Sequence, residues 1–559
     1  MKLNPLTACD FYKVGHKFQY PQGTTKVYSN FTPRSDRLAN TKGNITFVGL
    51  QGFIKWFLID TWNSEFFNKP KAEVVQHYKK LVDNALVCDL DVSHIEALHD
   101  LGYLPLEIKA LPEGSQVGMK IPVFTVTNTH PDFFWLPNYL ETAFSSEVWK
   151  ICTTATVARE YRKILQSYAI KTGSPVDFVG WQGHDFSLRG LSGLHDGSVS
   201  AMGHLCSFLG TDTIPAIEFA NNYYTGTETF VGGSVPATEH SVMSAGGKES
   251  EVETFRRILK TYPTGVVSIV SDTWDYWKVI TEYTVQLKDE ILARQPNAIG
   301  LAKTVFRPDS GDPVDIICGV NIPTASCTED AASQIADKNA ASNGVFKLPD
   351  GKFYRVYATW KWDNWDGFAY NTEVLDAYEV QLTPEQKGSI ECLWEIFGGT
   401  ITDKGYKLLD SHVGLIYGDS ITLDRCKEIM KRLEAKGFAS GNVVFGIGSY
   451  TYQYATRDTY GFAMKATAAV IDGQEVFLSK DPKTDSGTKK SATGWLAVTE
   501  FNGIGFNLQE KLSQAEEAAY AGSNCLETVF KDGVLTKETT LANIRTLINS
   551  DLENELQTK

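Results

Sequence analysis

Four short apolar runs in the middle of the chain each end in a polar or glycine-rich turn. GVVSIV (265–270) ends at Ser271-Asp272, and TVF (304–306) ends at Arg307, Asp309, Ser310 and Gly311. VGLIY (413–417) ends at Gly418-Asp419 and leads into the helical pattern TLDRCKEIMKRLEAKG, while NVVF ends in the turn GIGS. Apolar strand, polar terminus and helix, repeated, predict a parallel α/β sheet or barrel. In such barrels the working groups gather on the loops that follow the strands. Here those loops carry Asp, Arg, Ser and Gly, the residue types that a phosphate and a sugar require.

Around this centre the chain reads differently. Residues 1–180 mix strands and helices: an aromatic arm and KVYSNFTPRSDR, an apolar helix near LQGFIKWFLIDTW, and a helical stretch over 70–101 with Val74, Val75, Tyr78, Leu81 and Val82 on one face. LPLEIKALPEGSQV (104–117) and VFTVTNTHP (123–131) read as strands, and two helices are predicted over 135–149 and 154–170. Residues 463–559 alternate like strands and close with a helix from about 538. The expectation is a (β/α) barrel-like catalytic domain over 181–462, plus a mixed α+β domain formed by the N- and C-terminal parts. The stretch 320–386 breaks the rhythm with an alanine-rich segment and VFKLPDGKFYRVY, a hairpin turning at Pro-Asp-Gly. It reads as a β-rich insertion, with Trp360, Trp362 and Trp365 packing its small core or, less favoured, binding a ring or a partner.

At 559 residues the chain exceeds one ordinary core. No apolar run reaches the roughly 18 residues of a membrane helix, and MKLNPLTACDFYK has no apolar signal core. Nine cysteines without a CxxC pair fit reduced thiols in a cytoplasm. A formal charge of −14 disfavours nucleic acid as a partner, so any phosphate site must concentrate its cations locally.

The nine residues GSVPATEHS (233–241) present His240 after a rigid approach, because the residue before Pro236 is forced to be extended. With an unperturbed pKa of roughly 6.5, such a histidine serves as nucleophile, proton carrier or helix cap. HDFSLRG (184–190) sets Phe186 three residues before Arg189, a ring and a guanidinium that suit a planar ligand beside an anion, or simply a core ring and a surface cation. Asp212 in GTDT suits a ligand contact or a helix N-cap. Arg307 and Asp309 in RPDSGDP suit a phosphate and a sugar hydroxyl or Mg²⁺. GIGS, with Gly448 and Ser449, lets successive N–H groups converge on an anion, though no GKS or GKT follows it.

With these motifs stand DFYKVGHKFQYP (10–21), LPLEIKALPEG (104–114), VSIVSD (267–272), GYKLL (405–409), GDS (418–420) and TRD (456–458). In this order and over most of its length the chain resembles the nicotinamide branch of the nicotinate/nicotinamide phosphoribosyltransferase family, type II. The resemblance implies phosphoribosyl transfer from phosphoribosyl pyrophosphate to nicotinamide, with ATP as co-substrate through a phosphohistidine and Mg²⁺ as cofactor. It implies a cytoplasmic homodimer with shared active sites, with no nucleic acid or membrane partner.

Residue by residue, the resemblance makes His240 the phosphorylated histidine, with Asp272 orienting it. Phe186 and the partner's Tyr12 would sandwich nicotinamide, Asp212 would contact its amide, and Arg307 would also border it. Arg189, Arg307 and His240 would face pyrophosphate. Asp309 would hold ribose hydroxyls, while Gly418, Asp419, Gly448, Ser449, Arg457 and Lys480 would surround the ribose and its phosphate. No metal ligands are assigned. Ser449 replaces a glycine usual in the family, and the 320–386 insertion has no counterpart in its common form. Two other readings stand beside this one: a nicotinate phosphoribosyltransferase, and a catalytically silent nucleotide-binding protein.

Overall fold

The computed structural model describes residues 3–225, 230–337, 340–362, 370–418, 420–480, 491–501 and 505–557. The chain forms two compact units. One comprises Met1–Ile164, Gly183–Ser234 and Ile447–Lys559; the other comprises Leu165–Gln182 and Val235–Gly446.

In the first unit, the strand Thr24–Thr32 pairs antiparallel with Ala463–Ile471 on one side and Phe124–Asn128 on the other. N- and C-terminal parts of the chain thus share one seven-stranded sheet, which Glu527–Lys531 extends beyond Leu106–Ala110. Its core includes a run of stacked rings, Phe124 on Phe31 at 5.0 Å and Phe31 on Phe462 at 5.4 Å. Offset rings of this kind add about 0.5–1.5 kcal/mol per pair beyond their buried area.

Two helical expectations are corrected here. The 70–101 stretch forms two helices, Lys71–Leu86 and Ser93–Leu101, because Val87 takes a left-handed conformation at φ 52°. The Asp83 side chain accepts the Leu90 N–H at 2.8 Å and closes the break. Val74, Val75, Tyr78 and Val82 are buried as expected, whereas Leu81 is 40% exposed. Conversely, the two helices expected over 135–170 are largely one, Glu141–Thr172. Nothing at 150–153 (Lys-Ile-Cys-Thr) can stop a helix, since neither Gly nor Pro occurs there.

The second unit contains the expected parallel strands. Gly265–Val270 pairs with Ala302–Arg307, which pairs with Val413–Tyr417, which pairs with Val443–Ile447, all parallel. Six residues of GVVSIV are buried or nearly so, as a strand covered on both faces requires. The approach to His240 joins this sheet. Ala237 makes a parallel bridge to Ser268, Ser268 N–H donates to Pro236 O at 2.9 Å, and Thr238 N–H donates to Ser268 O at 3.0 Å.

The inserted stretch is β-rich: Ser342–Lys347, Phe353–Trp362 and Tyr370–Glu379 form a three-stranded antiparallel sheet, with Gly351 at φ 82° in the Pro-Asp-Gly turn. Among the described residues its core is built from Ala325, Ala331, Ala332, Phe346, Val356 and Ala358, and the Trp362 side chain lies outside them. Trp360 lies at the edge of that core, donating its indole N–H to Ala336 O at 2.6 Å, and Trp365 is outside the described residues. The alanine-rich helix Thr328–Ile335 packs against the sheet because small side chains let it approach closely. The stretch leaves and rejoins the unit at one point, where Val320 N–H donates to Glu385 O at 3.2 Å. No helix among the described residues is long and apolar enough to cross a membrane.

Candidate active site

The site residues expected from the sequence fall into two sets, one in each unit. In the second unit, the C-terminal ends of the parallel strands bring His240, Asp272, Arg307, Asp309 and Gly418 together. Asp272 is almost wholly buried, with a side chain 4% exposed. Its Oδ2 accepts the Asp309 main-chain N–H at 2.9 Å and the Ser310 hydroxyl at 2.6 Å, so it anchors the RPDSGDP turn. Among the described residues its Oδ1 accepts no hydrogen bond, and it lies 3.9 Å from His240 Nε2. The imidazole, 54% exposed, is instead bonded at Nδ1 by the Thr273 hydroxyl at 3.2 Å. The orienting contact expected from Asp272 is therefore an ion-pair approach, and the hydrogen bond belongs to the neighbouring threonine.

Arg307 donates through Nη2 to Thr238 O at 2.6 Å and holds Nε 3.9 Å from Asp309 Oδ2. One guanidinium thus links the His240 approach to the carboxylate of its own turn. Gly418 completes the cluster by being small: a Cβ there would lie 1.9 Å from Asp309 Oδ1 and 3.5 Å from Arg307 Cδ. Asp419 lies outside the described residues.

In the first unit, Asp185 organises the loops that carry Phe186, Arg189 and Asp212. This buried carboxylate accepts the Ser187 N–H and hydroxyl at 3.1 and 2.6 Å on one oxygen, and the Thr211 and Thr213 hydroxyls at 3.0 and 2.6 Å on the other. Four donors satisfy a charge that would otherwise be costly to bury. They also fasten HDFSLRG to GTDT. Asp212 does not cap the helix Ile214–Tyr223 with its side chain; its Oδ1 faces His184 Nε2 at 2.8 Å and accepts the Ser234 hydroxyl. The Phe186 ring is half-buried, tilted 36° to the His184 ring with centroids 4.6 Å apart, and its N–H donates to Ile447 O at 3.0 Å. One face of a planar ligand could rest there.

Beneath these loops, His204 is fully buried, and that burial pushes its pKa down to about 4. The neutral ring donates from Nε2 to Gly210 O at 3.1 Å, leaving Nδ1 to accept the Tyr452 hydroxyl at 2.7 Å. Arg189 is exposed, and the next residue, Gly190, meets GIGS closely: a Cβ at 190 would lie 2.1 Å from Ser449 Oγ. The serine that departs from the family pattern thus fills space beside the arginine loop. Gly448 caps the short helix Ser449–Gln453.

The remaining expected residues also lie in the first unit. Tyr12, 60% exposed on the arm, stands edge-on to His16 at 5.5 Å. Arg457 is exposed and donates to Asp458 Oδ1 at 3.3 Å. Lys480 exchanges main-chain contacts with Ser491, its N–H donating to Ser491 Oγ at 3.0 Å. Ser491 in turn lines a recess with Arg34, Lys120 and Lys465, a concentration of cations that the sequence reading missed. Burial holds the Lys465 ammonium pKa below its usual value, although Glu141 opposes the shift. No group of three or more His, Cys, Asp or Glu among the described residues is arranged to hold a metal ion.

Asp185, Thr238, Thr273 and Ser234 were also missed. Only Asp185 left a signal, since an Asp two residues before a Ser favours a side-chain turn. The others act through strands that are distant in sequence.

Comparisons with known proteins place the chain in a family. A family model described as the nicotinate phosphoribosyltransferase (NAPRTase) family matches residues 181–533, and one described as the nicotinamide phosphoribosyltransferase N-terminal domain matches residues 4–108. The chain is 52% identical to a nicotinamide phosphoribosyltransferase of Acinetobacter baylyi, over 99% of this chain and 98% of that protein. It is 31% identical to a nicotinamide phosphoribosyltransferase of Mycoplasma pneumoniae, over 88% of this chain and 95% of that one. A nicotinate-nucleotide pyrophosphorylase structure from Pyrococcus furiosus shares the fold at a TM-score of 0.52 and 12% identity, covering 98% of this chain and 96% of that one. The chain is therefore a member of the nicotinamide phosphoribosyltransferase family, a family of pentosyltransferases.

Proposed function

We propose that the protein transfers phosphoribosyl from phosphoribosyl pyrophosphate to nicotinamide, giving nicotinamide mononucleotide and pyrophosphate in NAD salvage. The relationship to the Acinetobacter baylyi enzyme over nearly the whole chain carries this reading. In the reaction the bond between ribose C1′ and the pyrophosphate oxygen breaks, and the pyridine nitrogen supplies the electron pair for the new C1′–N bond. Positive charge grows on the sugar and negative charge on the leaving group. Arg307 and Arg189 stabilise the leaving group, Asp309 holds ribose hydroxyls, and Phe186 stacks the base in line for attack. No strong general base is needed, because the attacking nitrogen uses its own lone pair.

Several finer assignments belong to the same reading. His240 takes a phosphoryl group from ATP, and Asp272 and Thr273 position its ring. Mg²⁺ favours one or two carboxylates plus substrate phosphates, and Asp309 and Asp272 are the carboxylates at the strand ends. The protein works as a homodimer in which Tyr12 of a second copy closes on the base. The exposure of Phe11, Tyr12 and Phe18 on one short arm supports that arrangement. The direct test is to mix the protein with labelled nicotinamide and phosphoribosyl pyrophosphate, with and without ATP, and to look for the mononucleotide. Its absence in both mixtures would overturn the proposal.

Base choice gives a sharper expectation. Asp212 offers an acceptor to the amide of nicotinamide and a like charge to nicotinate. At about 4 Å that repulsion is worth about 1 kcal/mol in water and about 4 kcal/mol at protein-like screening. Nicotinamide is expected to be preferred by at least about tenfold in kcat/KM, with Asp212→Ser narrowing the gap. Equal use of both bases by the unaltered protein would remove Asp212 from this role.

The 320–386 insertion is expected to be dispensable for the chemistry. Its ends meet at the Val320–Glu385 hydrogen bond, so a short linker can replace it. Turnover of that deletion is expected within about tenfold of the full chain, or about 1.4 kcal/mol of barrier. A folded deletion without activity would show that the insertion serves the site.

A further inference from the structure

A second cavity in the Val235–Gly446 unit lies at the opposite end of the parallel strands from the residues above. It encloses about 370 Å³, within the range of small-molecule sites. Its walls include Lys303 near the start of Ala302–Arg307, Val413 at the start of Val413–Tyr417, and Asn442 just before Val443–Ile447. Phe178, Leu409 and Pro175 add apolar surface. Lys303 and Arg307 occupy one face of one strand, four residues or about 13 Å apart, so the cavity is separate from the candidate active site.

Lys303 has no hydrogen bond or ion pair among the described residues. Asp410, the carboxylate whose field reaches it, is turned to His412, accepting its main-chain N–H at 2.9 Å and facing its Nδ1 at 2.8 Å. Burial pushes the Lys303 ammonium pKa below its usual value, and Asp410 only partly offsets that. The lysine stem also has its own berth. A Cβ at Gly414 would lie 3.0 Å from Lys303 Cδ and 3.5 Å from Val305 Cγ2, so glycine there leaves room for the side chain.

We propose that this cavity is a second ligand site, taking a small monocarboxylate with an apolar body whose charge Lys303 compensates. One cation matches one negative charge, whereas a phosphate dianion would keep an uncompensated charge beside Asp410. The apolar wall of Pro175, Phe178, Leu409 and Val413 suits a hydrocarbon body.

The probe is cyclohexanecarboxylate, whose saturated ring is a poor stacking partner for Phe186. Calorimetry on the full chain is expected to show saturable binding at one site, weakened at least about tenfold by Lys303→Met. On the unaltered protein, the probe is expected to slow reductive methylation of Lys303 at least about fivefold relative to the surface lysines. This second readout stands even where the variant fails to fold. Absence of saturable binding, unprotected Lys303, or unchanged affinity in a folded Lys303→Met protein would each overturn the proposal.

Discussion

Gly418→Ala is expected to lower kcat/KM for phosphoribosyl pyrophosphate by at least about a hundredfold, roughly 2.7 kcal/mol of transition-state stabilisation. The added methyl would sit 1.9 Å from Asp309 Oδ1, well inside contact distance, and 3.5 Å from Arg307 Cδ. The Gly418 backbone is held too, its N–H donating to Pro308 O at 3.3 Å. Asp309 is therefore the group that moves, and with it the proposed ribose contact. Its own N–H is fixed by Asp272, so the side chain must turn while the main chain stays. A misplacement of about 1 Å in a positioning group is enough for a loss of this size. Steady-state kinetics beside a thermal melt separates the effect from unfolding. A folded variant with undiminished kcat/KM would show that Asp309 is not needed where the structure holds it.

His240→Ala is expected to abolish ATP turnover, by about a thousandfold or more, while leaving ATP-independent synthesis of the mononucleotide in place. Under the proposed phosphohistidine, a ring nitrogen would attack the terminal phosphorus of ATP as the bond to the ADP oxygen breaks, leaving an acid-labile phosphate. The half-exposed imidazole can meet a nucleotide, and Thr273 holds Nδ1 at 3.2 Å while Asp272 stands 3.9 Å from Nε2. Thr273→Val tests that positioning: ATP turnover should fall while the acid-labile phosphate still forms on prolonged incubation. ATP hydrolysis undiminished in His240→Ala would exclude the phosphohistidine. The Arg307–Thr238 hydrogen bond ties this histidine's approach to the strand end bearing Asp309. Phosphorylation and pyrophosphate binding would thus be felt on the same backbone.

The parallel strands of the second unit were legible because the signal is local. An apolar run closed by Ser271-Asp272, Arg307-Pro308-Asp309 or Gly418 needs no knowledge of its neighbours to be read as a strand and its working end. The antiparallel insertion was legible through Pro-Asp-Gly for the same reason. Helix boundaries were less so. Val87 in a left-handed turn depends on the side-chain hydrogen bond from Leu90 to Asp83, and the run through Lys150–Thr153 stays helical because no Gly or Pro stops it.

By itself, the sequence determined the parallel α/β class, the four strand ends, the extended approach to His240 and the family. Each rests on residue chemistry within a few positions, where proline, glycine and alternating apolar residues restrict the backbone directly. Only the tertiary structure decided which groups meet. It seated Asp185 beneath two loops, gave the His240 hydrogen bond to Thr273, turned Asp212 to His184, and left Lys303 without an ion pair among the described residues. Those contacts join residues up to 33 positions apart, as between His240 and Thr273. They are set by strand order and by what burial demands of each charge, which no window of sequence contains.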